Sequence, residues 1–218
     1  MTQNTDSLAL PAGTVGIIFD CDGVLIDSRV ANMLYYNRIR ESAGFGPMSV
    51  EEENYAQMHS ARESLAHIFP PAMHARLAQL AGAVNYKREI MPHIRHMPGL
   101  HNCLELLAKS GLRLGVLTNR GRRGMELVID RFGLHDCFDP VLTAEDVKGK
   151  PAPDGLLRTA ALWGCAPDEL VFVGDSLLDA QSAEAAGSYF FAYDNRELRA
   201  HGHLDSFAQL EKLAKPTM

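Results

Sequence analysis

An apolar run at residues 15–19, Val-Gly-Ile-Ile-Phe, is followed directly by the tetrad Asp20-Cys21-Asp22-Gly23. A continuous apolar run of this length, ended by a glycine-containing turn, is typical of a strand buried on both faces of a parallel sheet. Asp20 and Asp22 are then expected at the carboxyl end of that strand, where open α/β sheets bind their ligands. One carboxylate at such a place can act as a nucleophile and the other as its acid or base partner.

Further apolar runs alternate with helical patterns along the chain. The predicted strands are 112–117, 170–173 and 189–193, with a shorter fifth candidate at 140–142. The predicted helices among them are 100–109, 124–132, 153–163 and 177–186, with a glycine close behind each, at 111, 133, 164 and 187. This alternation predicts an α/β fold built on a doubly wound parallel sheet.

Residues 29–93, the cap segment, interrupt this alternation because they contain no convincing strand. Their helical patterns cover residues 30–42, 50–60, 61–69 and 71–90. We therefore predict an α-helical cap domain at 29–93, inserted into an α/β core domain formed by residues 1–28 and 94–218. Hinged lids of this kind exclude water and help to select the substrate. The alternative is that these helices pack directly on the sheet as part of one domain.

The composition is that of an ordinary globular chain, with 46% hydrophobic and 22% charged residues among 218. A formal net charge of −6 argues against a nucleic-acid partner, which requires a basic face. No apolar stretch reaches the roughly 20 residues of a membrane span, and residues 1–12 lack the pattern of a signal peptide. The four cysteines are widely spaced, which indicates reduced thiols. We expect a cytoplasmic monomer or homodimer without nucleic-acid or membrane partners.

Polar groups suited to phosphate or metal follow several of the predicted strands. Thr118-Asn119-Arg120 follows the strand at 112–117, and Asp175 follows the strand at 170–173, with Asp179 one helical turn later. Lys150 precedes Pro151-Ala152-Pro153, a stiff lead into a helix. Because the strands of a parallel sheet end along one edge, we expect these groups to converge.

The predicted convergence of Asp20, Asp22 and Asp175 requires a cation. Two carboxylates about 4 Å apart repel by roughly 4 kcal/mol at an effective dielectric of about 20. An all-oxygen cluster with room for water and a phosphate suits Mg²⁺. Lys150 would supply the remaining positive charge, and Thr118 a hydroxyl donor.

Four segments resemble, in the same order, the four motifs of the haloacid dehalogenase-like hydrolase superfamily. They are residues 20–28 (DCDGVLIDS), 117–119 (LTN), 150–153 (KPAP) and 174–179 (GDSLLD). The chain is most similar to the phosphoglycolate phosphatase-like branch, whose helical, C1-type cap is inserted after the first motif. The resemblance covers nearly the whole chain, although the cap matches in position and helical character rather than by motif.

The resemblance implies a Mg²⁺-dependent phosphatase for a small-molecule phosphate monoester, with phosphoglycolate as a candidate. Asp20 would attack phosphorus and become a phosphoaspartate. Asp22 would protonate the leaving oxygen and later activate the hydrolytic water. Thr118 and the Asn119 backbone would hold phosphate oxygens, and Lys150 would neutralise charge. The implied metal ligands are Asp20, the Asp22 carbonyl and Asp175, with Asp179 as a ligand through water or a supporting acceptor.

The identity of residue 22 distinguishes among members of this superfamily. Dehalogenases lack an acid at the position of Asp22, because a halide leaves without a proton, and phosphonatases use a cap lysine instead. The aspartate therefore favours phosphate monoesters. A β-phosphoglucomutase-like phosphosugar mutase is an alternative, although Ser28-Arg29 lacks the histidine expected at that hinge. A non-catalytic binding protein on the same scaffold is another.

Several further polar residues are assigned more ordinary roles. Arg120, Arg122 and Arg123 are predicted to form an exposed basic turn, and the histidines at 93, 96 and 101 to be polar hinge residues rather than metal ligands. At a predicted helix junction of the cap segment, one residue is expected to contact a distal anionic end of the substrate. The candidates are His59, Ser60, Arg62 and Glu63, with Arg62 favoured. Cys21 is expected to point away from the two aspartates into the core.

Overall fold

A computed structural model of the protein describes residues 9–213. The strands are β1 Gly16–Phe19, β2 Ile26–Asp27, β3 Arg95–His96, β4 Arg113–Leu117, β5 Val141–Leu142, β6 Leu170–Gly174, β7 Tyr189–Tyr193 and β8 Gly202–Leu204. Six of them form one sheet in the order β5-β4-β1-β6-β7-β8, and every neighbouring pair is parallel. The first strand therefore lies in the interior of the sheet, between β4 and β6.

The helices lie on both faces of this sheet or in the cap segment. Their bounds are α1 Arg29–Ser42, α2 Val50–Met58, α3 Ala61–Ile68, α4 His74–Ala83, α5 Leu100–Lys109, α6 Arg122–Phe132, α7 Asp154–Trp163, α8 Leu177–Ala186 and α9 Phe207–Leu213. Helices α5, α6 and α9 pack in one apolar cluster, and α7 and α8 in another. The predicted doubly wound α/β fold is confirmed.

Strand β1 shows why a continuous apolar run was needed. Ile17 and Phe19 belong to the cluster on one face of the sheet, and Ile18 belongs to the cluster on the other. All three are fully buried. Since successive side chains of a strand point to opposite faces, a strand covered on both faces must be apolar at every position.

Helices α1 to α4 of the cap segment enclose an apolar cluster of their own. Its buried members are Tyr36, Ile39, Met48, Ala56, Leu65, Ile68, Phe69 and Leu77. Strands β2 and β3 pair antiparallel where the chain leaves the core and returns to it. The exact division into residues 29–93 and the remainder stays a prediction, and residues 1–8 and 214–218 of the predicted core lie outside the described part.

The helical pattern predicted at 71–90 is interrupted in the structure. Helix α4 ends at Ala83, and the Asn85 side chain accepts a hydrogen bond from the backbone N–H of Arg88, which starts a separate π-helical turn at Tyr86–Ile90. Asparagine favours such local bonds over continuing a helix. Strand β8 was not predicted, because Gly202-His203-Leu204 is short and carries no apolar run. Helix α9 was not predicted either.

Within residues 9–213, none of the helices combines the length and apolar character needed to cross a membrane. The cytoplasmic location, the monomeric or homodimeric state and the absence of a nucleic-acid partner stay predictions.

Candidate active site

Three neighbouring strands deliver the polar residues of the site to one edge of the sheet. Phe19 at the end of β1 is in register with Val116 of β4 and Val173 of β6. Asp20, Thr118 and Asp175 follow these three strands. They open onto one cavity of about 690 Å³ that lies between the sheet edge and the cap segment. The cavity is lined by six of the predicted site residues: Asp20, Asp22, Thr118, Asn119, Lys150 and Asp175.

Lys150 is buried between two carboxylates. Its Nζ lies 2.8 Å from Oδ1 of Asp20 and donates to Oδ1 of Asp179 at 2.6 Å. Burial opposes the charged amine, but Asp179 and Asp20 together raise the pKa of Lys150 above its usual value. The amine therefore remains an ammonium group at the floor of the cavity.

Asp20 has one oxygen engaged and one available. Its Oδ1 accepts the backbone N–H of Cys21 at 2.7 Å and contacts Lys150, whereas no described residue hydrogen-bonds Oδ2. Burial raises the pKa of Asp20 to about 7, although Lys150 opposes this shift. Asp20 is thus oriented by its neighbours with one oxygen open to the cavity, as a nucleophile requires.

The acidic residues cluster closely enough to share a metal ion. Asp20, Asp175 and Asp179 each offer a carboxylate oxygen within 4.8 Å of the others. Burial, followed by the charges of Asp179 and Asp20, raises the pKa of Asp175 to about 8. Gly23, at a φ of +80°, lets this cluster form, because a Cβ there would collide with the Asp175 carboxylate. Lys150 offsets only part of the repulsion among these three carboxylates, so a further cation would stabilise the cluster.

Asp179 is fully buried and accepts hydrogen bonds from Lys150 and from Ser176. Its Oδ2 accepts the backbone N–H of Ser176 at 3.0 Å and the Ser176 hydroxyl at 2.5 Å, which closes a capping box at the start of α8. Its Oδ1 accepts from Lys150. Both oxygens are therefore occupied by donors, which matches a supporting acceptor. Ligation of a metal by Asp179 stays a prediction.

Asp22 is held by Arg120, which was predicted to be exposed. Arg120 donates to both carboxylate oxygens of Asp22, with Nε at 3.0 Å from Oδ2, and its side chain is only 8% exposed. Burial acts to raise the pKa of Asp22, but Arg120 and the Ser28 hydroxyl outweigh it and lower that pKa. The prediction of an exposed basic turn is correct for Arg122 and Arg123 and wrong for Arg120.

Thr118 and Asn119 use their side chains differently. Thr118 Oγ1 accepts the backbone N–H of Arg120 at 3.0 Å, so its own hydroxyl proton remains available to a ligand. The Asn119 amide donates to the Lys150 and Met58 carbonyls at 3.0 and 3.1 Å and accepts from the Lys150 N–H at 2.9 Å. It thereby fixes the lysine segment and joins it to the cap segment.

The structure does not bring Arg62 to the cavity. Arg62 is exposed in the first turn of α3, and the neighbouring lining residues are His59 and Ala61. Cys21 lies fully buried in the core, on the side predicted. Among the residues that the structure describes, the aspartates are the one group of potential metal ligands close enough to share an ion, and the hinge histidines at 93, 96 and 101 form no such cluster.

Comparison with known proteins identifies the family. Residues 17–193 match the model of the haloacid dehalogenase-like hydrolases. A subfamily IA hydrolase of this superfamily from Geobacter sulfurreducens is 36% identical, with a TM-score of 0.74 over 95% of this chain and 100% of that one. A phosphoglycolate phosphatase from Cereibacter sphaeroides is 28% identical over 92% of this chain and 97% of its own length. One from Nitrosospira multiformis is 33% identical over 61% of this chain and 60% of its own length. The chain belongs to the haloacid dehalogenase-like hydrolase family, as the order of its motifs predicts.

Proposed function

We propose that the chain is a Mg²⁺-dependent phosphatase that hydrolyses a small-molecule phosphate monoester through a phosphoaspartate at Asp20. The observation that carries this proposal is the convergence of Asp20, Asp22, Thr118 and Lys150 on one cavity beside the acidic cluster. A carboxylate nucleophile, an acid/base group and fixed positive charge are the parts that a two-step phosphoryl transfer needs.

The acidic cluster fits Mg²⁺ by the chemistry of its donors. Its protein ligands are carboxylate oxygens, and Mg²⁺ prefers a few such ligands together with water and substrate phosphate. Without a metal, burial and the neighbouring carboxylates raise the pKa values of Asp20 and Asp175, and a bound cation would favour the ionised form of both. Asp20, Asp175 and the Asp22 carbonyl would hold Mg²⁺. The bound ion would neutralise charge on the transferring phosphoryl group.

Asp20 and its neighbours would carry out the first step. Oδ2 of Asp20 attacks phosphorus while Lys150 holds Oδ1 and fixes the orientation of the carboxylate. The hydroxyl proton of Thr118 is free to donate to a phosphate oxygen, because the backbone of Arg120 already occupies an Oγ1 lone pair. The protein thus binds and orients the phosphate with groups that are already in place.

Asp22 would serve as the acid and then the base. Its pairing with Arg120 favours the ionised form, which suits activation of the water that hydrolyses the phosphoaspartate. Protonating the leaving oxygen requires the neutral form, so Asp22 must gain a proton and loosen its contact with Arg120 before the ester is cleaved. Arg120 thereby acts as a positioning residue.

Phosphoglycolate is the first substrate to test. Several relatives that align with most of this chain are named phosphoglycolate phosphatases. The test incubates the protein with phosphoglycolate, glycerol 3-phosphate and p-nitrophenyl phosphate, with Mg²⁺ or with EDTA, and measures released phosphate. We expect Mg²⁺-dependent release, lost in Asp20→Asn and retained in Asp130→Asn, a matched change at an exposed aspartate of α6.

Adding a sugar 1-phosphate to this assay, and measuring its 6-phosphate as well as released phosphate, separates the alternatives. A mutase would convert a sugar 1-phosphate to its 6-phosphate faster than it releases phosphate. A non-catalytic binding protein would release none from any ester while folded and metal-bound. Either result would contradict the phosphatase proposal.

A further inference from the structure

The cavity carries more positive charge than the phosphate chemistry uses. Its basic lining residues are Lys87, Arg120, Arg123 and Lys150. Lys150 is paired with Asp20 and Asp179, and Arg120 is paired with Asp22. No carboxylate among residues 9–213 forms an ion pair with Lys87 or Arg123. These two cations are therefore free to meet a charge that comes with a ligand.

Lys87 and Arg123 come from different parts of the fold. Lys87 belongs to the π-helical turn of the cap segment, and Arg123 lies in the first turn of α6 in the core. Both side chains are exposed while lining the cavity, so they border its mouth rather than its buried floor. The neighbouring arginines differ, because Arg88 pairs with Glu89 and Arg122 with Asp146.

The charges divide the cavity into two regions. Asp20 and Asp175 stand at the sheet edge, where the metal and the phosphate are proposed to bind. Neither Lys87 nor Arg123 forms an ion pair with that cluster, whose cationic partner is Lys150. The remaining acidic lining residue, Glu145, accepts the backbone N–H of Arg122 through Oε1 and forms no ion pair with Lys87 or Arg123 among the described residues. A ligand with phosphate on the floor would thus present its other end to positive charge.

The cavity is larger than a minimal phosphate ester needs. Pockets of roughly 300–1,000 Å³ hold ligands of drug size, and this cavity has about 690 Å³. Tyr35, Tyr36 and Tyr86 give it an aromatic wall on the side of the cap segment. A two-carbon acid phosphate would fill only a part of this space.

We infer that Lys87 and Arg123 form a subsite for a second anionic group, and that the preferred substrates are phosphate monoesters longer than phosphoglycolate that end in a carboxylate or a second phosphate. This inference rests on the phosphatase activity proposed above and names the substrate class of that same site. Because Lys87 lies in the cap segment and Arg123 in α6, a distal anion bound by both would bridge the cap segment and the core and help to exclude water from the cavity.

The test uses two pairs of esters that differ only in the terminal group. They are 6-phosphogluconate against sorbitol 6-phosphate, and 3-phosphoglycerate against glycerol 3-phosphate. With the full chain and Mg²⁺, we expect KM to be about tenfold lower for 6-phosphogluconate than for sorbitol 6-phosphate, as charge-assisted hydrogen bonds imply. We also expect kcat/KM to be higher for 6-phosphogluconate than for phosphoglycolate.

Single substitutions assign the effect to the subsite. Lys87→Ala and Arg123→Ala should each raise KM for 6-phosphogluconate about tenfold, with kcat and the neutral esters unchanged, and Arg123→Glu should raise it further. Arg88→Ala and Arg122→Ala are the matched controls and should change neither the KM for 6-phosphogluconate nor kcat. Equal KM values for acid and neutral esters in the unmodified protein would overturn the inference. Equal changes in KM for both kinds of ester in the Lys87 and Arg123 variants would overturn it too. In either case, hydrolysis of the neutral esters would still support the phosphatase. Failure to hydrolyse any ester would overturn both.

Discussion

The guanidinium of Arg120 donates hydrogen bonds to both carboxylate oxygens of Asp22, although 98 positions separate the two residues in the chain. The same guanidinium reaches the cap segment, since its Nη1 donates to the Tyr86 hydroxyl at 2.8 Å. One buried arginine therefore contacts the proposed acid/base and the cap segment at once. Movement of the cap segment and the environment of Asp22 are physically connected through this side chain.

Replacing Arg120 with alanine is expected to destabilise the protein strongly. Removing one member of a buried ion pair costs roughly 3–5 kcal/mol, because the other charge is left without a partner. Arg196→Ala breaks an exposed pair with Asp205, which solvent screens, and should have a much smaller effect on the free energy of unfolding. Urea unfolding of both variants checks the difference. Equal losses would show that the Arg120 pair contributes no more than a surface pair.

Asp179 is expected to matter beyond its capping role. Ser176→Ala removes the side-chain cap of α8 and should cost about 1 kcal/mol of unfolding free energy. Asp179→Asn disturbs the same cap and also removes the charge that holds Lys150, so it should lower kcat by a further 10- to 100-fold, about the effect of losing a supporting partner in a metal site. Unfolding and phosphate-release assays on both variants separate the two roles. A kcat in Asp179→Asn equal to that in Ser176→Ala would contradict this account.

The response to Mg²⁺ should increase with pH. Asp20 and Asp175, with pKa values raised to about 7 and about 8, hold protons in the folded metal-free protein at a pH where the unfolded chain has lost them. The folded state thus binds more protons, so metal-free stability falls as pH rises from about 4 through 8. Mg²⁺ binds the ionised carboxylates and opposes this fall.

Thermal unfolding with and without Mg²⁺ tests this linkage. The rise in Tm on adding Mg²⁺ should be larger at about pH 8.5 than at about pH 6, and Asp175→Asn should flatten the dependence. The same rise at both pH values would show that protons and metal do not compete for these carboxylates.

Gly23 is expected to be required by the metal site more than by the fold. An alanine there would place its Cβ against the Asp175 carboxylate. Gly111→Ala is a matched control, because Gly111 has a φ of +83° and no atom within 4 Å of an added Cβ. Both variants should lose roughly 1–2 kcal/mol from the left-handed backbone.

Activation by Mg²⁺ distinguishes these two glycine variants. Only Gly23→Ala should raise the Mg²⁺ concentration needed for half-maximal activity. We expect an increase of about 10-fold or more, which is the effect of mutating residues that support metal ligands. Phosphate release measured across a Mg²⁺ titration gives this value. An unchanged titration for Gly23→Ala would mean that Asp175 tolerates the displacement.

The sequence was most informative where local pattern and sheet topology agree. The apolar residues of β1 and the two aspartates behind it predicted both a buried strand and the place of the site, because parallel strands end at one edge. The family assignment followed from the order of four such segments. Residues Thr118, Lys150 and Asp175 were brought together for the same reason.

The sequence was least informative where a side chain is defined by partners far along the chain. Arg120 is buried only because Asp22 and Tyr86 meet it in three dimensions, whereas its neighbours Arg122 and Arg123 are exposed. Arg120 follows Thr118 by two residues at the end of a strand, on the sheet edge where Asp22 was also predicted. This placement was the sequence feature that could have indicated an ion pair. Arg62 was favoured because it lies at a helix junction, but its side chain is exposed and does not line the cavity.

The most direct measurement of the central claim is capture of the phosphorylated enzyme. Asp22→Asn retains Asp20 but lacks the base that activates water, and p-nitrophenyl phosphate needs no acid to release its good leaving group. We expect this variant with Mg²⁺ to release one equivalent of nitrophenol in a burst and to gain one phosphoryl group, which peptide mapping by mass spectrometry places on Asp20. A phosphoryl group on any other residue, or turnover by Asp20→Asn, would contradict nucleophilic attack by Asp20.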